Sequence, residues 1–278
     1  MAKSLRIILI VLLAAVFLFC AVRLISVLLE YRQAEEIYDR ERDAVFTLTD
    51  EDDGGAQTAV SAAPEARETD TEPDAQEADT QEADTEPEES FPEVSVDFDA
   101  LLAEGPDVVG WLWIPDSEIS YPLVQGADND QYLRRTYNGV PNRSGSIFLD
   151  YRCSSDLSDW NTVIYGHNMK NGSMFGSLDA YADQDYFDTH PLLYIFTPDR
   201  ILKYRVFSAY VTEYDSETYD LSGKDRAAYV QYALDSSTVQ GGRDQETAAP
   251  LLLLSTCTSR TRTERFVVHA VLIGEKTA

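Results

Sequence analysis

Cysteine is scarce in this chain: Cys20, Cys153 and Cys257 are the only three in 278 residues. They have no metal-ligand spacing, and Cys20 lies in an apolar run at the amino end, so neither a disulfide framework nor a zinc site is expected. Histidine is equally rare, at three, so a histidine used as a base has to be His167, His190 or His269. Basic charge is in deficit, with 22 Lys and Arg against 49 Asp and Glu. That excludes a nucleic-acid partner, because phosphates would be repelled and no basic stripe compensates. No internal repeat is present in the domain-like part, 94–278, and no regular alternation of strand with helix, which argues against a parallel α/β fold.

What is present divides into unlike parts. "RIILIVLLAAVFLFCAVRLISVLL" carries an unbroken apolar run from Ile7 to Val22. As a helix those residues would span about 24 Å, and continuation through Leu29 brings the length to the roughly 30 Å of a hydrocarbon core. No A-x-A cleavage pattern follows, since Phe17 and Phe19 stand where small residues would be needed, so an uncleaved anchor over 1–30 is expected rather than a signal peptide. Lys3 and Arg6 before the run are balanced by Arg32, Arg40 and Arg42 after it, so charge alone leaves the orientation open. Helical spacing of Leu24, Val27, Leu28, Tyr31 and Tyr38 extends a juxtamembrane helix through 31–46. Residues 50–93 then hold seventeen acids against Arg67 alone. "DTEPDAQEADTQEADTEPEES" repeats small, acidic and Pro units with no apolar residue to bury, and 47–93 is expected to be a disordered acidic linker serving as a spacer.

The segment 94–278 has the composition of one globular domain, large enough to bury about 70% of its unfolded surface without a metal or disulfide. A short helix capped by Asp97 or Asp99 precedes a strand over 109–114. Further strand-like runs are "ISYPLVQG", "GSIFLDY", "NTVIYG", "LLYIFTP", "ILKYRVFSAYVTEY", "PLLLLST" and "RFVVHAVLIG". Helical patterns occur near "SMFGSLDAYAD" and "DRAAYVQYALDSS". The fold class expected is mainly β, a closed barrel of about seven to eight strands with a few helices.

"PLLLLST" and "RFVVHAVL" flank a polar loop from Thr258 to Glu264 and form a hairpin by their signals, which sets Arg265 opposite Cys257. A guanidinium beside a thiol favours the thiolate and can donate to an oxyanion, a pairing suited to acyl transfer. By spacing alone, a lone cysteine at a strand end also fits a small buried hydrophobe. His269 lies within a strand and His190 precedes a proline, whereas His167 follows "NTVIYG" in a Gly-bounded loop where a scaffold presents catalytic side chains.

"NTVIYGHNMKNGSMFGSL" and "LLLLSTCTSRTRTERFVVHA" together resemble the paired motifs of the sortases, class B in particular. "DVVGWLWIPDSEISYPLVQGADNDQYL" and "GSIFLDYRC" resemble the class B pattern in the same order, so the likeness covers nearly the whole domain. The resemblance implies a sortase-type barrel and a membrane-anchored cysteine transpeptidase. It makes Cys257 the nucleophile, His167 the base and acid, and Arg265 the oxyanion and substrate-holding group. Ser255, Asn129, Leu133 and Tyr219 match substrate-contacting positions. Surface proteins with a C-terminal sorting signal would be cleaved and joined, through a thioester, to an amine of a peptidoglycan precursor or of a pilin. It also implies a single-pass protein in the cell membrane, with a cytoplasmic amino terminus and an extracellular catalytic domain. No cofactor or metal is implied. The chain shows neither a second apolar span towards Ala278 nor an Asp-Pro-aromatic lid segment before the domain. A pilin-polymerising sortase is therefore the second expectation, and a papain-like thiol hydrolase and a non-catalytic anchored module are the readings from other classes. Cys153 is expected to be a bystander.

Overall fold

A computed structural model describes residues 2–48, 91–241 and 249–278. One helix, α1 (Ala2–Val45), runs without interruption from the apolar segment into the domain. Its apolar stretch from Leu5 to Leu29 is bare, and it is long and apolar enough to cross a membrane. Beyond it the buried positions Ala34, Tyr38, Glu41 and Val45 recur at three- and four-residue steps, the signature of one helix face laid on a partner.

After α1 the chain forms β1 (Phe46–Leu48), which pairs antiparallel with β2 (Val94–Val96), Leu48 opposite Val94. Phe46 stacks on Trp111, ring centroids 5.6 Å apart. The acidic linker, from residue 49 to 90, lies outside the described residues, but its two ends meet at this ladder.

Asp97 caps α2 (Phe98–Glu104), its carboxylate accepting from Ala100 N. The barrel strands follow as β3 (Val108–Trp113), β4 (Ser120–Gln125), β5 (Ile147–Leu149) and β6 (Asn161–Tyr165). A 3-10 turn at Leu178–Ala182 leads to α3 (Gln184–Thr189), a helix not expected from the sequence. Then come β7 (Leu192–Phe196), β8 (Arg200–Glu213), α4 (Arg226–Ser236), β9 (Leu251–Cys257) and β10 (Glu264–Thr277). The eight strands β3 to β10 close in the order β10-β8-β7-β3-β4-β5-β6-β9. Most neighbours are antiparallel, but β4 with β5 and β6 with β9 run parallel.

The continuous apolar run of β9 has a structural cause: Leu251 through Leu254 are buried on both faces. Leu252 and Leu254 face the barrel interior, whereas Leu251 and Leu253 join a second cluster with Tyr229, Val230 and Ala233 of α4. Each such leucine contributes about 1.5–3 kcal/mol by leaving water, and a strand held from two sides offers a rigid end on which to mount a reactive group.

Candidate active site

Three strands define the site. β9 lies between β6 on one side and β10 on the other. On the antiparallel side Arg265 is the register partner of Cys257, so the expected hairpin pairing is present. On the parallel side the ladder ends with Tyr165 level with Ser255, and the chain beyond it, Gly166 to Asn168, stays alongside Ser255 to Cys257. Three contacts hold the continuation: Gly166 N donates to Ser255 O at 3.2 Å, Thr256 Oγ1 to Gly166 O at 2.8 Å, and Asn168 Nδ2 to Cys257 O at 3.0 Å. Cys257 therefore stands between an imidazole-bearing and a guanidinium-bearing neighbour at one end of three adjacent strands.

Gly166 has to be glycine at this bend, because a Cβ would stand 2.5 Å from Ile147 Cδ1 and 2.7 Å from the Phe175 ring. The His167 ring rests against Gly145 and has its Nε2 2.7 Å from Leu133 O. A carbonyl can only accept, so Nε2 carries a proton, and in the neutral ring Nδ1 is the nitrogen with a free lone pair. The Arg265 guanidinium is oriented by its own hairpin: Nη1 donates to Arg262 O at 3.0 Å and Glu264 O at 2.9 Å.

A cleft of roughly 400 Å³ opens here, and all seven side chains singled out from the sequence line it: Asn129, Leu133, His167, Tyr219, Ser255, Cys257 and Arg265. Of the three histidines His167 alone does so. His269 is fully buried, bonded to Tyr210 OH at 3.0 Å, and burial pushes its pKa down to about 3. His190 is stacked on Tyr186, ring centroids 3.8 Å apart. The cysteines separate as sharply. Cys257 is exposed and Cys153 buried, the latter's thiol pushed up to about 11 by its burial.

Ser255 differs from a freely presented hydroxyl. It is 1% exposed, and its Oγ lies 2.7 Å from Tyr219 OH. Burial raises the Tyr219 pKa to about 12, so this phenol stays protonated and the pair forms one hydrogen-bonded unit on the cleft wall.

Residues 112–273 match the family model described as the sortase domain. The chain belongs to the sortase family. Sortase B of Listeria monocytogenes is 37% identical over 177 residues, 60% of this chain and 70% of that protein. Sortase B of Staphylococcus aureus is 28% identical over 185 residues, 65% and 76% of the two chains. Among solved structures, sortase B from Bacillus anthracis in complex with AAEK1 superposes with a TM-score of 0.58 at 38% identity, covering 63% of this chain and 83% of that one. The protein is a class B sortase, a cysteine transpeptidase on a closed β-barrel.

One residue behind this sortase's cleft wall carries no signal that singled it out in the sequence. Asp150, fully buried at the end of β5, accepts from Arg152 Nε and Nη2 at 2.9 and 2.8 Å, from Tyr165 OH at 2.9 Å and from Asn129 Nδ2 at 3.1 Å. Burial alone would raise its pKa, but the donors outweigh that and hold it below the ordinary carboxylate value. Tyr165 and Asn129 both line the cleft, so this carboxylate fixes two of its walls. The sequence offers there only an acid directly after an apolar strand with an arginine two residues on. Asp150→Asn should raise KM for a peptide substrate with little change in kcat, and lower stability at pH 7 by about 1–3 kcal/mol. The depressed folded pKa makes the charged form's contribution complete above the unfolded value of about 3.9. It is lost as the pH falls through the lower folded value, so the gap between wild type and variant should close in acid denaturation below about pH 4. A gap that stays constant down to pH 2 would contradict this.

Proposed function

We propose that this sortase cleaves a C-terminal sorting signal in surface proteins and joins the new carboxyl end to an amine of the cell wall. The observation that supports the reading is the single cleft lined by His167, Cys257 and Arg265, with Arg265 the register partner of Cys257. The Cys257 thiolate attacks the carbonyl carbon of the scissile peptide bond, a C–S bond forms, and the guanidinium of Arg265 stabilises the resulting oxyanion. Collapse breaks the C–N bond, and His167 gives the departing amine the proton that its Nδ1 took from the Cys257 thiol when the thiolate formed. The nitrogen of an incoming amine then attacks the thioester carbonyl and a C–N bond forms, the amine's proton passing to His167 Nδ1 while the C–S bond breaks and the thiolate leaves. Tyr219 with Ser255, and Asn129 with Leu133, form the walls that hold the sorting signal.

Residues 94–278 are the catalytic domain in this reading, and the apolar part of α1 anchors the protein in the cell membrane. The amino end is cytoplasmic and the domain external, where a peptidoglycan precursor supplies the amine. The full-length protein in detergent, incubated with sorting-signal peptides and a peptide-stem amine, should yield the amide product by mass. Acid product alone, unaffected by amine concentration, would show a thiol hydrolase instead, and preferential use of a pilin lysine would show a polymerising enzyme. Arg265→Lys keeps the charge but loses the planar fork, and turnover should fall on the order of 100-fold. Near-normal turnover in that variant would remove Arg265 from the oxyanion role.

A further inference from the structure

The segment between β4 and β5 does two things at once. On its inner side it cradles His167: Leu133 O receives Nε2, and Gly145, at φ +61°, packs so closely that an added Cβ would stand 2.8 Å from Leu133 O and 3.1 Å from His167 Cδ2. On its outer side it is held by the domain-packed half of α1. Tyr38 OH donates to Gly145 O at 2.6 Å, Asn142 Nδ2 donates to Glu30 O at 3.0 Å, and Tyr137 OH donates to Glu41 Oε2 at 2.5 Å. Within the segment, Ser146 N donates to Tyr132 O at 3.1 Å and Ser146 Oγ to Arg135 O at 2.8 Å, closing it on itself.

The loop that follows His167 is held by the same helix. Asn171 Nδ2 donates to Glu35 Oε1 at 2.8 Å. The Tyr38 ring meets Tyr121 edge-on at 5.4 Å, and Tyr121 OH accepts from Met174 N at 3.1 Å. Tyr38 is 4% exposed, so its hydroxyl is spent entirely on this segment. The route from helix to imidazole is short: Tyr38 hydroxyl, Gly145 backbone, Leu133 carbonyl, His167 Nε2.

We propose that Tyr38 is a positioning residue for His167, so that the membrane-proximal helix is part of the working enzyme as well as its tether. The Tyr38 hydroxyl fixes the Gly145 backbone against which the imidazole rests, beside the Leu133 carbonyl that accepts from Nε2, and thereby the orientation of the ring. The proposal rests on the reading of Cys257 and His167 as the catalytic pair.

The test uses the full chain in detergent, with turnover expressed per titratable Cys257 thiol so that unfolded protein does not count. Tyr38→Phe keeps the ring and removes only the hydroxyl. It should lower kcat about three- to tenfold, leave KM for the sorting-signal peptide within twofold, and move the limb of the pH–rate profile that His167→Gln abolishes by half a unit or more. A lower melting temperature with unchanged kcat per thiol and an unchanged pH profile would make Tyr38 a packing residue only and overturn the proposal. A raised KM with unchanged kcat would overturn it as well. Should Tyr38→Phe not fold, Ser146→Ala loosens the same segment from within and is expected to give the same pattern. If His167→Gln itself retains turnover, the catalytic reading fails. If His167→Gln is inactive while Tyr38→Phe matches wild type, only this inference fails.

Discussion

Cys257→Ala is expected to abolish transpeptidation, with turnover falling by more than about 1,000-fold and the acyl-enzyme disappearing from intact-mass spectra. The two hydroxyls nearest in sequence with a place in the cleft cannot take the acyl group in its stead: Thr256 is buried and donates to Gly166 O, and Ser255 is buried and paired with Tyr219. Losing a nucleophile that works as one unit with its base costs nearly the whole chemical advantage. The same experiment separates the two thiols of the domain. Alkylation of the native protein near neutral pH should mark Cys257, which is exposed, and spare Cys153, which is buried and shifted up to about 11. Both steps of thiol chemistry need an accessible thiolate. Retention of activity in Cys257→Ala, or an acyl group trapped on Cys153, would refute the assignment.

His167→Gln is expected to lower kcat by about 10²–10⁴-fold, the range lost when a positioned general acid–base is removed, with the peptide KM changing far less. Glutamine can still donate to Leu133 O, so the backbone contact that places the side chain survives while proton transfer does not. His269 and His190 cannot substitute, since one is enclosed in the core beside Tyr210 and the other stacked on Tyr186. Rates of acylation and of aminolysis measured separately should both fall, because the same ring serves the leaving and the attacking amine. A variant within fivefold of wild type in both steps would show that His167 is not the proton carrier.

How much of this was legible beforehand differs element by element. The eight barrel strands were readable because strand pattern is local: β9 is a run of four leucines and β10 alternates, and each lies between turn residues. The pairing of Arg265 with Cys257 was readable for the same reason, since a hairpin relates residues only eight positions apart. The short helix α3 was not, being six residues with a single buried side chain, Phe187. Asp150 looked like the polar end of a strand. Its role comes from Asn129 and Tyr165, 21 and 15 positions away in the chain, a convergence with no local periodicity. The helix contacts from Tyr38 to Gly145 cross 107 positions, and the acidic stretch between β1 and β2 disguised them as opposite ends of a linker.

The chain by itself determined an apolar segment long enough to cross a membrane, the barrel strands, the hairpin that sets an arginine against a thiol, and, through its motifs, the sortase family. Only the tertiary structure decided that His167 lines one cleft with Cys257. That placement depends on β6 and β9 pairing in parallel across 90 positions, and a parallel register has no short turn to specify it. It is fixed instead by closure of the barrel and by the leucines of β9, buried on both faces, which leave β9 no other place to lie.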